Sequence, residues 1–261
     1  IAKCHDCDVS LVYHREDNRL KCHYCGKQYK VLDRCPKCGS EHIKQGAVGT
    51  EQVVSKLKEY FPDVKVLRMD NDTTSTKNAH QKILSDFRNS LPGILVGTQM
   101  IAKGHDFENV VLVGIIDADQ SLYQADYRST ERTFQLITQV SGRAGRSEDE
   151  GKVVLQTYSP RHYVYKFASN YDYKGFFRKE ENIRQTSQFP PFTRILRILF
   201  SDHDENYVRE LLKVCYTEIE KLKEQYGDEI IYLDAMKSPI KRIQNKYRYQ
   251  IMMRLKLDKA D

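Results

Sequence analysis

Three Cys-x-x-Cys pairs crowd into the first 38 residues: Cys4/Cys7, Cys22/Cys25 and Cys35/Cys38. They account for six of the seven cysteines in this 261-residue chain. Two thiolates separated by two residues can turn back on one ion at about 2.3 Å, and tetrahedral closure needs a second such pair from another knuckle. Cys4/Cys7 and Cys22/Cys25, with fourteen residues between the pairs, supply one complete set. Disulfides are the competing reading, but paired knuckles in an otherwise ordinary intracellular composition fit zinc better. Four sulfurs leave no open coordination position, so the metal reads as structural rather than catalytic. Residues 1–45 thus form a cysteine-rich zinc-binding region.

Cys35 and Cys38 then make half a site, in a Cys-Pro-Lys-Cys-Gly run whose glycine permits the tight turn of a knuckle. Completion is open between His5, His23 or His42 and a further cysteine pair lying before Ile1. The chain opens on Ile1 with no methionine, as an internal fragment does. Cys215, within the amphipathic run 208–222, is expected as a buried core thiol.

No tryptophan and a hydrophobic fraction of 40% suit two or three small globular units better than one large core. The longest apolar runs, such as 94–96 and 110–113, fall far below the roughly 20 residues that cross a bilayer. No basic-then-apolar leader opens the chain, so the expectation is a cytoplasmic protein without a membrane. Lys plus Arg outnumber Asp plus Glu by 42 to 36, which suits a polyanionic partner without demanding one. The excess concentrates in 236–261, with eight basic residues against two acids, although a solvated surface reads the same on charge alone.

From residue 46 the pattern alternates between helix and strand, which predicts an α/β layer structure with a parallel sheet. Strands are expected over 64–69, 94–97, 110–116 and 153–157, with helices near 78–87 and 129–144. In such sheets chemistry collects beyond the carboxyl ends of the strands. There the run Gly97-Thr98-Gln99-Met100-Ile101-Ala102-Lys103-Gly104-His105-Asp106-Phe107 offers a hydroxyl, amide N–H groups and a lysine suited to phosphates. Further on, Gln139, Gly142, Arg143 and Arg146 stand at i, i+3, i+4 and i+7, so a helix would carry them on one face. Two guanidinium groups there can neutralise charge on a transferring phosphoryl group.

Residues 161–188 read as a helical connector. The Phe189-Pro190-Pro191 break opens a small α+β domain over 189–261, expected to be truncated at its end, with a strand at 195–200, a helix at 206–226 and strands at 230–233 and 247–257. Lys241 and Arg242 are placed in the loop before the last strand, and Arg248 on that strand lies between Tyr247 and Tyr249. These groups can neutralise phosphates while rings stack on unpaired bases, or the tyrosines can simply be one face of a strand.

Gln-x-x-Gly-Arg-x-x-Arg resembles motif VI of superfamily 2 helicases, and the run 97–107 resembles their motif V. Together with zinc knuckles ahead of Gly49-Thr50-Glu51-Gln52, with Asp72-Thr73-Thr74 and with the run 126–132, the chain resembles the primosomal replication-restart helicase family along essentially its whole length. The resemblance implies a RecA-like second helicase lobe over 46–160, its parallel sheet incomplete because the opening strand precedes a zinc-ribbon insertion. It implies two interleaved zinc ions, with Cys35 and Cys38 joining a pair before Ile1. It implies ATP and Mg²⁺ bound with another lobe and reached by Arg143 and Arg146. Gln139 and Gly142 would organise that face, and Gly104 and Asp106 would couple nucleotide state to Thr98, Gln99 and Lys103 on the DNA side. Implied partners are fork DNA, single strands, and primosome and single-strand-binding proteins. The implied function is ATP-dependent 3'-to-5' unwinding at stalled or recombined forks that initiates primosome assembly.

No Gly-x-x-x-x-Gly-Lys-[Ser/Thr] and no Asp-Glu-x-His box occurs in these 261 residues, so the isolated chain is expected to hydrolyse no ATP. The alternatives are a non-catalytic zinc-ribbon adaptor for nucleic acid or protein, and a zinc-bearing translocase acting on RNA.

Overall fold

The structure is a computed structural model describing residues 2–14, 17–35, 38–41, 49–74, 78–102, 107, 109–144 and 151–257. The chain divides into two compact units, one of residues 47–179 and one combining 1–46 with 180–261.

The cysteine-rich segment is built from three short antiparallel strands, β1 (Val12–His14), β2 (Arg19–Lys21) and β3 (Gln28–Lys30), in the order β1-β2-β3. Its centre is not an apolar cluster of ordinary size. Cys4, Cys7 and Cys22 are its buried residues, with Val9, Leu11, Tyr29 and Ile243 packed around them.

The second unit runs α1 (Thr50–Tyr60), β4 (Lys65–Met69), α2 (Ala79–Arg88), β5 (Gly93–Gly97), a 3-10 turn (Gln99–Ala102), β6 (Leu112–Ile115), α3 (Asp119–Leu122), α4 (Ser129–Ser141), β7 (Lys152–Leu155), α5 (Tyr163–Ser169) and α6 (Tyr173–Thr186), the last crossing the division between units. Every pairing among β4 to β7 is parallel, as an α/β layer structure requires. Among the described residues the ladders are two separate pairs, β4 with β5 and β6 with β7, rather than one continuous sheet. α2 makes the crossover from β4 to β5, and α3 and α4 lie between β6 and β7. Phe134 and Ile137 on α4 sit in a core with Ala118, Leu122, Val164, Tyr165 and Phe176, and the Phe134 and Phe176 rings stack at 4.2 Å.

The segment expected as a helical connector over 161–188 holds two helices, α5 and α6, separated at residues 170–172, where Tyr171 takes φ 51. After it, β8 (Thr193–Asp202), α7 (Glu205–Tyr226), β9 (Ile230–Ile243) and β10 (Lys246–Lys256) form an antiparallel sheet of order β8-β10-β9 with α7 across one face. Asp204 caps α7, its Oδ1 accepting from the N–H groups of Asn206 at 2.8 Å and Tyr207 at 3.3 Å. Val208 and Leu212, then Cys215, Tyr216 and Ile219, form the stripe that meets Tyr249, Ile251 and Met253 of β10. Cys215 is half-buried at the edge of this core rather than fully enclosed.

Candidate metal centre and candidate nucleotide and nucleic-acid residues

All three Cys-x-x-Cys pairs share one backbone plan. The residue after the second cysteine donates its N–H to the carbonyl of the first: Asp8 to Cys4 at 2.9 Å, Gly26 to Cys22 and Gly39 to Cys35 at 2.8 Å. That residue is left-handed each time, at φ 51, 74 and 70. Glycine adopts this region without cost, which is why two of the three knuckles use it. The first cysteine's own N–H closes the turn, donating to the carbonyls of Val9, Lys27 and Ser40.

The ligand atoms of Cys4, Cys7, Cys22 and Cys25 all lie within 4.8 Å of one another. Four sulfurs at about 2.3 Å from one ion stand about 3.8 Å apart in a tetrahedron, and Cys4 Sγ and Cys25 Sγ are 3.6 Å apart. Tyr29 Oη shares a 3.2 Å hydrogen bond with Cys4 Sγ. Burial pushes the Cys4 thiol up, but the Tyr29 hydroxyl and the N–H groups of Asp6 and Cys7 bring it to about 7. Burial pushes Cys7 up and carries Cys25 to about 12. A divalent cation held by these four cysteines would supply the charge that keeps all four as thiolates. Geometry, sulfur donors and burial therefore fit zinc. The Cys35 turn is formed in the same way, with Cys35 half-buried and Cys38 exposed; His42 lies outside the described residues.

In the second unit, Thr98 and Gln99 are exposed immediately beyond β5, where the 3-10 turn Gln99–Ala102 begins. Lys103, Gly104 and Asp106 lie outside the described residues. Among the described residues, the helix expected to carry Gln139, Gly142 and Arg143 on one face stops short of the arginine. Helix α4 ends at Ser141, Gly142 caps it, and Arg143 belongs to the following turn, its N–H donating to the Val140 carbonyl at 3.1 Å. Glycine's low helix propensity ends the helix at Ser141, two residues before the arginine. Gln139 is exposed on the last turn, and Arg146 lies outside the described residues. Arg143 is half-buried, and its Nη2 donates to the Ala102 carbonyl at 3.1 Å. That carbonyl terminates the 3-10 turn, so the bond joins the two motif-bearing segments directly.

The other two singled-out stretches also meet. Buried Asp70, at the end of β4, accepts from Thr50 Oγ1 at 2.6 Å, Arg68 Nε at 2.5 Å and the Thr73 N–H at 3.1 Å. Arg68 also reaches Glu51 at 2.8 Å and Asp72 at 3.4 Å. Burial raises the Asp70 carboxyl, yet the Thr50 hydroxyl, Arg68 and Thr73 outweigh it and leave it below the usual carboxylate range.

Lys241 and Arg242 are not in a loop. They belong to β9, which runs on to Ile243 and shifts register against β10 between the pairs Tyr247/Arg242 and Tyr249/Lys237. This irregularity brings Lys237, Lys241 and Arg242 to one open cleft of about 230 Å³, with Tyr247, Tyr249, Glu205 and Asp8. Lys237 Nζ stands 5.6 Å from the Tyr249 ring and the Arg242 guanidinium 5.7 Å from that of Tyr247. Tyr249 is a core residue, donating to Glu205 at 2.6 Å and accepting from Arg209 Nε at 2.8 Å. Arg248 is half-buried on β10 and does not line the cleft. Lys237, Glu205 and Asp8 were not singled out in the sequence. Only the basic excess of 236–261 pointed toward the first, and nothing in local spacing pointed to the others.

Comparisons with known proteins agree along the chain. Residues 4–30 match the model of the PriA DNA helicase Cys-rich region domain, 40–148 that of the helicase conserved C-terminal domain, and 185–261 that of the primosomal protein N C-terminal domain. Replication restart protein PriA of Bacillus subtilis is 44% identical over 256 residues, which is 98% of this chain and 31% of that protein. The PriA proteins of Borreliella burgdorferi and Haemophilus influenzae are 37% and 36% identical, over 95% and 100% of this chain and 37% and 36% of theirs. The chain thus spans about a third of the length of these relatives.

Proposed function

This chain belongs to the PriA family of replication restart proteins, and we propose that within such a protein it supplies the second motor lobe of an ATP-dependent 3'-to-5' DNA helicase. The helicase acts in the cytoplasm on stalled or recombined forks and initiates primosome assembly. The observation that carries the reading is the bond from Arg143 Nη2 to the Ala102 carbonyl. It fixes the arginine that meets a nucleotide to the segment that bears Thr98 and Gln99, so a change at the phosphates is felt at the strand-contacting turn.

In this reading Arg143 and Arg146 reach, from this chain, a triphosphate and its Mg²⁺ seated on another lobe. There they stabilise charge on the transferring phosphoryl group. Gln139 and Gly142 shape that face, Gly104 and Asp106 relay nucleotide state, and Thr98, Gln99 and Lys103 hold a DNA strand. Lys241 and Arg242, joined by Lys237, meet phosphates in the cleft of the other unit, and Arg248 adds charge nearby. The ribbon holds one zinc through Cys4, Cys7, Cys22 and Cys25, and Cys35 with Cys38 takes part in a second. Both serve contacts with DNA, primosome and single-strand-binding proteins rather than chemistry.

The chain alone lacks the lysine and acids that hold ATP and Mg²⁺. Phosphate release with and without DNA, compared with a double variant R143A/R146A, tests this. No turnover is expected from either protein. DNA-stimulated release by the unsubstituted chain well above the double variant would refute the assignment of a lobe that acts only in trans.

A further inference from the structure

We propose that the tip of the β9–β10 hairpin is the outer shell of the metal centre, so that zinc binding and docking of the C-terminal domain onto the ribbon are one equilibrium. The inference rests on the zinc reading of the four cysteines.

Gln244 and Asn245 are the whole connection between β9 and β10, and both are left-handed, at φ 50 and 62. Two such residues make the tight turn whose twist matches that of paired strands, and the turn leaves its backbone N–H groups pointing outward at the tip. Here those groups have partners on the first knuckle. The Gln244 N–H donates to Cys7 Sγ at 3.3 Å, the Asn245 N–H donates to the Asp6 carbonyl at 2.9 Å, and the Arg242 guanidinium donates to the His5 carbonyl. Ile243 packs against the cluster of Cys4, Cys7 and Cys22. Residues 5, 6 and 7 thus each take a bond from residues 242–245, more than two hundred positions away in sequence.

A donor aimed at a metal-bound thiolate is worth more than one aimed at a neutral thiol, because the acceptor is charged. Such outer partners fix the orientation of the ligand and commonly change metal affinity by 10- to 100-fold when removed. The dependence runs both ways by linkage. Without the ion, three strands of three residues each and a centre made of thiols have little else to hold Cys7 in place. Without the hairpin, Cys7, which is wholly buried, opens to water. The basic cleft shares this fate, because its wall combines Asp8 of the ribbon with Lys237, Lys241 and Arg242 of β9. Zinc therefore assembles a cationic surface although it touches none of the cations.

The test begins with the metal-to-chain ratio of the purified chain. Hydrogen exchange is then followed before and after zinc is stripped. The amides of residues 243–247 are expected to exchange at least about 10-fold faster without zinc, while those of α7 and β8 keep their protection. Zinc release to a colorimetric chelator is measured in parallel. A variant R242A/Q244I, whose β-branched residue strains the left-handed position, is expected to lose zinc on the order of 10-fold faster, and Gln244→Gly to stay near the unsubstituted rate. Hairpin exchange indifferent to zinc, or equal release from all three proteins, overturns the inference while leaving the metal reading intact. A chain that holds no stoichiometric zinc overturns both.

Discussion

Asp70 shows how a single residue joins segments that the sequence presents separately. One buried carboxylate binds Thr50 from the start of α1, Arg68 from β4 and Thr73 from the following turn. Removing it leaves an arginine with 13% exposed side chain short of an acceptor, and Asp70→Asn is expected to destabilise the chain by about 2–3 kcal/mol at neutral pH. The sign of the pH dependence follows from the depressed carboxyl. Its unfolded value is about 3.9 and its folded value lies lower, so its contribution is complete above that unfolded value and is lost as pH falls through the folded one. Denaturant titrations below about pH 4 should therefore show unsubstituted protein losing stability more steeply than D70N; parallel curves would contradict this. The sequence marked Gly49 to Gln52 and 72–74 through resemblance, yet Arg68 and Asp70, which tie them together, carry no mark beyond an alternating strand pattern. Long-range hydrogen bonds of this kind leave no spacing to read.

At the scale of elements, what was legible depended on whether one local rule decided the outcome. Three knuckles follow from Cys-x-x-Cys alone, since each turn is closed by its own backbone. The strands at 65–69, 93–97 and 152–155 follow from short apolar runs between turn residues. The i, i+3, i+4 spacing of Gln139, Gly142 and Arg143 predicts a helix that runs past Gly142, but the helix-ending tendency of that glycine prevails. The sequence predicts only four residues for β9, at 230–233, because polar residues and Pro239 interrupt the apolar pattern beyond them. It continues because it is an edge strand, where a proline with no N–H to donate is tolerated and a register shift absorbs the mismatch. Two substitutions separate these causes. Gly26 has φ +74 with open space around its would-be Cβ, whereas Gly49 has open space and no such φ. Gly26→Ala is thus expected to weaken zinc binding by roughly 5- to 30-fold through backbone strain of about 1–2 kcal/mol, and Gly49→Ala to leave it unchanged. Asp204→Ala, which removes the cap of α7, is expected to cost about 1 kcal/mol in a thermal or denaturant unfolding measurement.

For the molecule as a whole, the ribbon and the C-terminal domain form one unit and residues 47–179 another, although the ribbon is far from the C-terminal domain in sequence. The order of segments along the chain does not disclose this, because the bonds responsible come from a hairpin tip, two from backbone N–H groups and one from the Arg242 guanidinium. No helix among the described residues is long and apolar enough to cross a membrane. The division has a functional consequence under the proposed reading. In a protein carrying both helicase lobes, zinc removal should impair unwinding and partner assembly more than basal ATP hydrolysis, and equal loss of both would count against it. Lys241→Ala should weaken single-strand binding and lower the slope of log affinity against log salt by about 0.7, the signature of one lost phosphate contact. An unchanged slope would remove that lysine from the interface.

The most direct test of the motor-lobe reading is DNA-stimulated ATP hydrolysis by a two-lobed protein bearing Arg143→Ala. If Arg143 stabilises the transferring phosphoryl group from this chain, kcat falls on the order of 10³-fold while nucleotide affinity changes little. Turnover within about twofold of the unsubstituted protein would show that the guanidinium bound to the Ala102 carbonyl has no part in the chemistry.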